Sequence, residues 1–382
     1  MTKPPLELAD VVRRFIGPYQ EQFGPLMLAS HHRALQDIAA CMTEAMGGEH
    51  YRCQECDEAF WIYHGCRNRS CPKCHGRQIV QWLKARSAEV LPCRYFHLIA
   101  TVPSELRTLF LRHQKTLYGL LMKIAAESVR DLAAEKRFVG AQVGILAVLH
   151  TWTGQLHHHP HVHMLVTGGG VTDDGRAWNE APKDFLVPVR KLSPMIAKRF
   201  ATALQKAHPE LFEQIPDTLW HREWCSYCKP YGKGQDAVLN YLARYVFRVA
   251  LTNRRLIAMD QTHVTFRYKD HKTGQWRTVR LEGVQFLRRF LFHVLPKGFH
   301  KVRYYGLWHP CKRNLQARAR LLLQLTTPAT RGDAVLMADI VDEALGQVDL
   351  GSHDHAVKCP KCGSMNIHRI DTLRRRHPML VG

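Results

Sequence analysis

The sequence predicts an α+β protein: a central antiparallel sheet flanked by helices, joined to a helical, cysteine-rich N-terminal unit. Three observations predict it. Short strand-like runs alternate with amphipathic helical stretches between residues 95 and 290, in the order strand, helix, hairpin, helix, strand, helix, hairpin. Cysteines crowd a stretch that has little apolar periodicity, so something other than a core must organise it. Glycine and proline punctuate the strands, with Pro103 after the first and Gly168-Gly169-Gly170 after another.

The elements follow in chain order. Ser30 caps a helix over 31–46, which Gly47-Gly48 ends. A cysteine-rich segment covers 51–77, and a helix over 76–90 leads into a strand over 95–102. A long amphipathic helix covers 106–132, and a strand over 143–152 turns through Gly154 into a strand carrying His161. The three glycines should stop that strand sharply. Helices over 194–206 and 237–248 bracket a strand over 220–229. Strands over 264–268 and 277–281 are joined by the turn Lys272-Thr273-Gly274, and helices over 311–325 and 333–345 precede a short cysteine-bearing tail. The division expected is 1–90 for a helical and cysteine-rich domain, 91–310 for the domain of the central sheet and 311–382 for a C-terminal helical tail with a further cysteine pair.

Composition narrows the class of partner. The chain has 382 residues, 46% of them hydrophobic, and a net charge of +21 from 54 Lys and Arg against 33 Asp and Glu. An excess that large favours a polyanion, with nucleic acid ahead of a membrane surface. No apolar run approaches the roughly 20 residues of a membrane span, and the first residues lack a secretory signal, so a cytoplasmic location is expected. The 12 cysteines fall largely in or beside Cys-x-x-Cys pairs, which in such a compartment indicates zinc rather than disulfides.

Cys53 and Cys56, followed after fourteen residues by Cys71 and Cys74, supply four thiolates at the spacing of a tetrahedral structural Zn²⁺. Cys66 and His64 lie between them as spare donors, so the metal is better defined than its four ligands. Arg67, Arg69, Lys73 and Arg77 crowd the same segment and suit phosphate contacts. Cys359 and Cys362 form half of a second zinc knuckle, for which His353, His355 and His368 are the nearby donors. Cys225 and Cys228 sit in a strand, where residues three apart face opposite sides, and read as packing. Cys41, Cys93 and Cys311 read as ordinary thiols.

Five histidines fall between His157 and His163. His161 and His163 are two apart on a strand and share a face, while Val162 points to the core. Two such imidazoles make half of a divalent-metal site, and the third ligand is open among His97, His150 and Gln155. Tyr241 and Tyr245, four apart on a helix and read as lying off its apolar stripe, are candidate nucleophiles, with Arg244 and Arg248 beside them for phosphate.

Together these motifs resemble one family. The segment 66–74, the pairing of Leu149-His150-Thr151-Trp152 with His159-Pro160-His161-Val162-His163, the run 241–245 followed by Asn253-Arg254-Arg255, and the stretch 286–299 are similar to transposases of rolling-circle insertion sequences. These are of the IS-ninety-one and ISCR type, in the HUH endonuclease superfamily. The resemblance spans about residues 53 to 362. It implies an HUH fold in the catalytic domain, with His161 and His163 as the metal pair holding Mg²⁺ or Mn²⁺. Tyr241 and Tyr245 would be paired nucleophiles, and Cys53, Cys56, Cys71 and Cys74 would belong to an N-terminal zinc-binding domain. It also implies nicking and strand transfer on single-stranded DNA at element ends and target, through 5′-phosphotyrosine links. Since no Gly-x-x-x-x-Gly-Lys-[Ser/Thr] loop is present, a helicase would be a separate host partner. The rival readings are a plasmid replication initiator or relaxase with the same chemistry, and a zinc-dependent DNA-binding regulator that would tolerate phenylalanine at both tyrosines.

Overall fold

The computed structural model describes residues 6–74, 90–233, 238, 241, 245–246, 249–270, 273–326 and 357–375. At its centre is an antiparallel sheet. Strands β3 (Arg94–Thr101), β4 (Gln142–Trp152), β5 (His158–Val171), β7 (Cys225–Lys233) and β11 (Val302–Gly306) lie in the order β11-β4-β5-β3-β7, and β6 (Trp178–Glu180) pairs with the end of β5. The strands of residues 143–152 and of His161 stand where the periodicity places them, and they pair with each other.

Alternation along β5 separates two environments. Val162, Met164 and Val166 face a core built with the helices Gln114–Ala134 and Val189–Ala207. His161, His163 and Leu165 therefore take the opposite face. There Leu165 packs with Leu146, Val148, Tyr95, Val238, Tyr241 and Val246, and with Ala319 and Leu323 of the helix Arg313–Thr326. Since both faces are covered, β5 reads as a nearly continuous apolar run after its histidines.

Four local expectations change. The helix expected over 31–46 runs Ala29–Ala40 with Leu28, not Ser30, at its N-cap, and Glu44–Met46 form a separate 3₁₀ turn. Gly168, Gly169 and Gly170 do not stop β5, which runs through them to Val171. A Cβ at Gly169 would lie 2.6 Å from the Asn179 carbonyl oxygen, and one at Gly170 would lie 2.4 Å from that of Gln142. The triplet thus permits close backbone approach inside the sheet. The long helix expected over 106–132 is divided at His113 into Arg107–Arg112 and Gln114–Ala134. The strand near residue 220 begins only at Cys225, because Asp217–His221 form a tight 3₁₀ turn. The expected helices over 76–90 and 333–345 fall wholly or largely outside the described residues.

A second core lies apart from the sheet. Helices α1 (Leu8–Phe23) and α2 (Ala29–Ala40) pack with Leu256, Val264 and Phe266 of the sheet formed by β8 (Leu256–Met259), β9 (His263–Lys269) and β10 (Trp276–Glu282). Phe286, Leu287 and Phe290 of the helix Gly283–Leu291 complete it, and the Leu8 amide donates to Asn253 Oδ1 at 3.0 Å. Residues 250–294 therefore pack with the N-terminal helices although the sequence groups them with the catalytic stretch. A third sheet, β12-β1-β2, joins β1 (Gly48–Cys53) and β2 (Ala59–Tyr63) to β12 (Ile367–Leu373), with Cys53 opposite Ile367. No helix among the described residues is long and apolar enough to cross a membrane.

Candidate active site and metal centres

Sheet register brings three histidines together. His150 on β4 stands directly opposite His161 on β5, and His163 lies one pleat further along the same face, opposite Val148. Their ring centroids are 5.5 Å (His150–His161), 4.6 Å (His150–His163) and 4.8 Å (His161–His163) apart. The ligand atoms of all three lie within 4.8 Å of one another, and no described carboxylate joins the cluster.

Contacts to backbone carbonyls define two of the tautomers. His161 Nδ1 lies 2.7 Å from the His159 carbonyl, which can only accept, so Nδ1 carries the proton and Nε2 is the ring's acceptor atom. His150 Nε2 likewise donates to the Tyr245 carbonyl at 2.6 Å, which makes Nδ1 the acceptor. His163 Nδ1 is 2.9 Å from His97 Nε2, and His97 Nδ1 is 3.0 Å from the Tyr227 hydroxyl. This relay can run in either direction; run from His163 Nδ1–H to His97, and from His97 Nδ1–H to Tyr227, it frees His163 Nε2 as a third acceptor, the direction that metal binding would select. Burial holds the His97 pKa down to about 4, so its imidazole is neutral at physiological pH. Of the candidates for third ligand, His150 is in the cluster and His97 stands behind it, orienting His163. Gln155 is turned to the Tyr268 hydroxyl at 2.6 Å.

The two tyrosines differ. Tyr245 is half-buried in a widened, π-type helical turn with Val246, its ring 4.2 Å from that of His163 and 6.0 Å from that of His150. Tyr241 is fully buried in the apolar cluster, against the expectation that both lie off the apolar stripe. Its hydroxyl has no hydrogen-bond partner among the described residues, and burial, reinforced by Tyr245, Tyr231 and Tyr227, raises its pKa well above the usual phenol value. Its ring is 4.8 Å from Tyr245 and 5.5 Å from His97. Arg244 and Arg248 lie outside the described residues.

The cysteines divide differently from the expected quartet. Cys71 and Cys74 do not meet Cys53 and Cys56. They join Cys66 and Cys41 in a buried cluster whose sulfurs lie within 4.8 Å of one another, with Cys41–Cys74 at 3.4 Å and Cys66–Cys74 at 3.6 Å. Sulfurs about 2.3 Å from a tetrahedral zinc would stand about 3.8 Å apart, so the set fits that ion. Cys41, read as an ordinary thiol, is thus one of the four; it lies outside any Cys-x-x-Cys pair, and only the end of α2 brings it in. The Arg67 and Asn68 amides point at Cys74 and Cys66 sulfurs at 3.3 and 3.4 Å, and Arg67 takes a left-handed φ of 56° to do so.

The other group is Cys53, Cys56, Cys359 and Cys362, again within 4.8 Å. Of the histidines expected to complete the Cys359 knuckle, His368 instead meets Gln54 Nε2, while His353 and His355 lie outside the described residues. Cys225 and Cys228 belong to no such group and pack toward one core, because a bulge beside Ile99 and Ala100 brings both to the same side. Arg69 is not presented to a phosphate: its guanidinium donates to the Phe299, Leu295 and Pro296 carbonyls at 2.6, 2.7 and 2.8 Å. Arg67 is exposed.

Comparison with known proteins gives this site its setting. Residues 144–316 match a family described as "Putative transposase", and residues 11–102 match "Transposase zinc-binding domain". The chain is 37% identical over 341 residues to "Putative transposase y4qJ" of Sinorhizobium fredii, covering 85% of each chain. It belongs to the IS-ninety-one-type transposases. The transposase is also 28% identical over 295 residues to the transposase for insertion sequence element IS801 of Pseudomonas savastanoi pv. phaseolicola, covering 70% of this chain and 68% of the relative. No solved structure matches it at a significant level. It is a DNA transposase with structural zinc. The zinc-binding match contains all of the Cys41 cluster but only Cys53 and Cys56 of the other.

Proposed function

We propose that this transposase nicks and rejoins single-stranded DNA through 5′-phosphotyrosine links, in rolling-circle transposition, with Tyr245 making the first cut. The observation that carries this reading is the 4.2 Å separation of the Tyr245 and His163 rings, which sets a phenol beside the three-histidine face. His150, His161 and His163 would hold the divalent ion. Three neutral imidazoles favour Mn²⁺ over the harder Mg²⁺, which prefers oxygen ligands. When bound, that ion polarises the scissile phosphate and offsets charge in the in-line transition state. His97 keeps His163 in its ligating tautomer, and the apolar packing around Tyr241 excludes water behind the site.

In the step itself the Tyr245 oxygen attacks phosphorus, the bond to the 3′ oxygen breaks, the phenol proton is given up and the departing 3′ oxygen gains one. Tyr241, enclosed behind Tyr245, serves the second transfer after the first tyrosine is occupied. The net charge of +21 suits a DNA strand along the surface, and strand separation falls to a host helicase.

The test is incubation of the purified protein with labelled single-stranded element ends and Mn²⁺, resolved on denaturing gels. The expected result is a covalent adduct lost in Tyr245→Phe and in His161→Ala but formed by Tyr241→Phe. Tight binding without an adduct, across several end sequences and both metals, would make the protein a DNA-binding regulator instead.

A further inference from the structure

The cluster of Cys53, Cys56, Cys359 and Cys362 joins parts of the chain some 300 residues apart, and the surrounding packing does not account for the joint. Cys53 Sγ is 3.5 Å from Cys362 Sγ and Cys56 Sγ is 3.5 Å from Cys359 Sγ, far beyond the roughly 2.05 Å of a disulfide. Each pair sits in the same kind of tight turn. The Cys53 amide donates to the Glu58 carbonyl and the Asp57 amide returns to the Cys53 carbonyl; the Cys359 amide donates to Ser364, and the Gly363 amide to Cys359. Asp57 and Gly363 take left-handed φ values of 55° and 76°, as the two turns require. Two matching knuckles thus face one another with four sulfurs turned inward.

What holds β12 against β1 is otherwise slight. Five of the seven residues of β12 are exposed, including Ile370, and Met365 just before it is 62% exposed. A three-stranded sheet this small, with little apolar burial, does not hold a strand by itself. The accompanying ion pairs, Lys361–Glu58 at 3.5 Å and Arg369–Glu49 at 3.5 Å, are solvated and weak. Arg375 reaches buried Asp37 at 3.1 Å, and the other polar contacts, Asn366 to Glu55 at 2.9 Å and Gln54 to His368 at 2.6 Å, are exposed side-chain bonds of small worth.

We propose that these four cysteines form a second structural zinc site, distinct from the Cys41 cluster, which clasps residues 357–375 to the N-terminal zinc domain. The site is closed, with four thiolates and no position for substrate, so its product is architecture: the ion fixes β12 as the third strand of the sheet. The inference does not depend on the nicking reaction.

Metal analysis of the full-length protein, purified without chelator, tests it. Two zinc ions per chain are expected. Cys359→Ser/Cys362→Ser should hold one, with residues 357–375 newly open to protease, and Cys41→Ser/Cys74→Ser should also hold one but keep that segment protected. One zinc in the unaltered protein, or two in Cys359→Ser/Cys362→Ser, would overturn the proposal. If either variant fails to fold, cadmium NMR of the unaltered protein decides: two all-sulfur resonances support the clasp and a single one rejects it.

Discussion

His150 donates from Nε2 to the backbone carbonyl of Tyr245 across 2.6 Å. One imidazole therefore turns one nitrogen to the three-histidine cluster and grips the tyrosine segment through the other. The carbonyl it occupies lies where the helix widens into a π-type turn, which presents Tyr245 to the histidine face. Removal of this ring should do two things, and removal of a neighbour only one. His150→Ala and His161→Ala are both expected to weaken Mn²⁺ binding at least tenfold by calorimetry. Only His150→Ala should also speed amide exchange at residues 245–246. Equal exchange in the two variants would mean that the bond does not hold the segment.

The Tyr241 hydroxyl is buried without a partner among the described residues, which is unfavourable for any polar group. Tyr241→Phe is therefore expected to leave the melting temperature unchanged or to raise it, by up to about 1 kcal/mol of stability. A loss of stability larger than that would show that the hydroxyl is bonded in solution.

Arg69 and Arg67 offer a contrast within three residues. Arg69→Ala strands three carbonyls that its guanidinium now serves, and should cost roughly 3 kcal/mol in denaturant unfolding. Arg67→Ala, at an exposed position, should stay within about 0.5 kcal/mol and instead weaken DNA binding at low salt. The reverse order would return Arg69 to the DNA surface.

Acid should unfold the protein from its buried histidines. The pKa of His293 is pushed down to about 3, by burial first and then by the charge of His158, with the Leu156 carbonyl opposing. Because the unfolded ring titrates near 6.5, the unfolded chain binds more protons between these values. This stability is full above about pH 6.5 and falls as pH drops toward 3, by about 2 kcal/mol at pH 5. Thermal melts of the unaltered protein should decline over that window, and His293→Gln should flatten the decline.

Much of the sheet and the shared face of two clustered histidines were legible because their signals are local. His161 and His163 share a face through strand period alone, and Val162 marks the core between them. The third histidine of the cluster was not legible: His97 and His150 both lie on strands flanking β5, and only the register, with His150 opposite His161 and His97 opposite Leu165, separates them. Tyr227 was missed because a tyrosine in a strand carries no sign of the histidine behind it. The cysteines show the limit most plainly. Spacing marks Cys-x-x-Cys pairs as candidate ligands, but which cysteines complete each group is settled by tertiary approach, and the nearest pair along the chain was the wrong partner for Cys53 and Cys56. Arg69 misled for a related reason, since charge in a basic segment says nothing about which way the guanidinium points.

The pairing of Cys56 with Cys359 sets an order of events on the ribosome. A contact that spans 303 residues has a loop-closure cost of about 5 kcal/mol, and it cannot begin until the distant segment has emerged. The Cys41 cluster, drawn from residues 41–74, can form early; α1 and α2 await residues 250–294, which complete their core, and β1 and β2 wait longest, with one open edge and two bare thiols. The first-made part of the protein is thus finished among the last, and its completed sheet records that synthesis has passed residue 373.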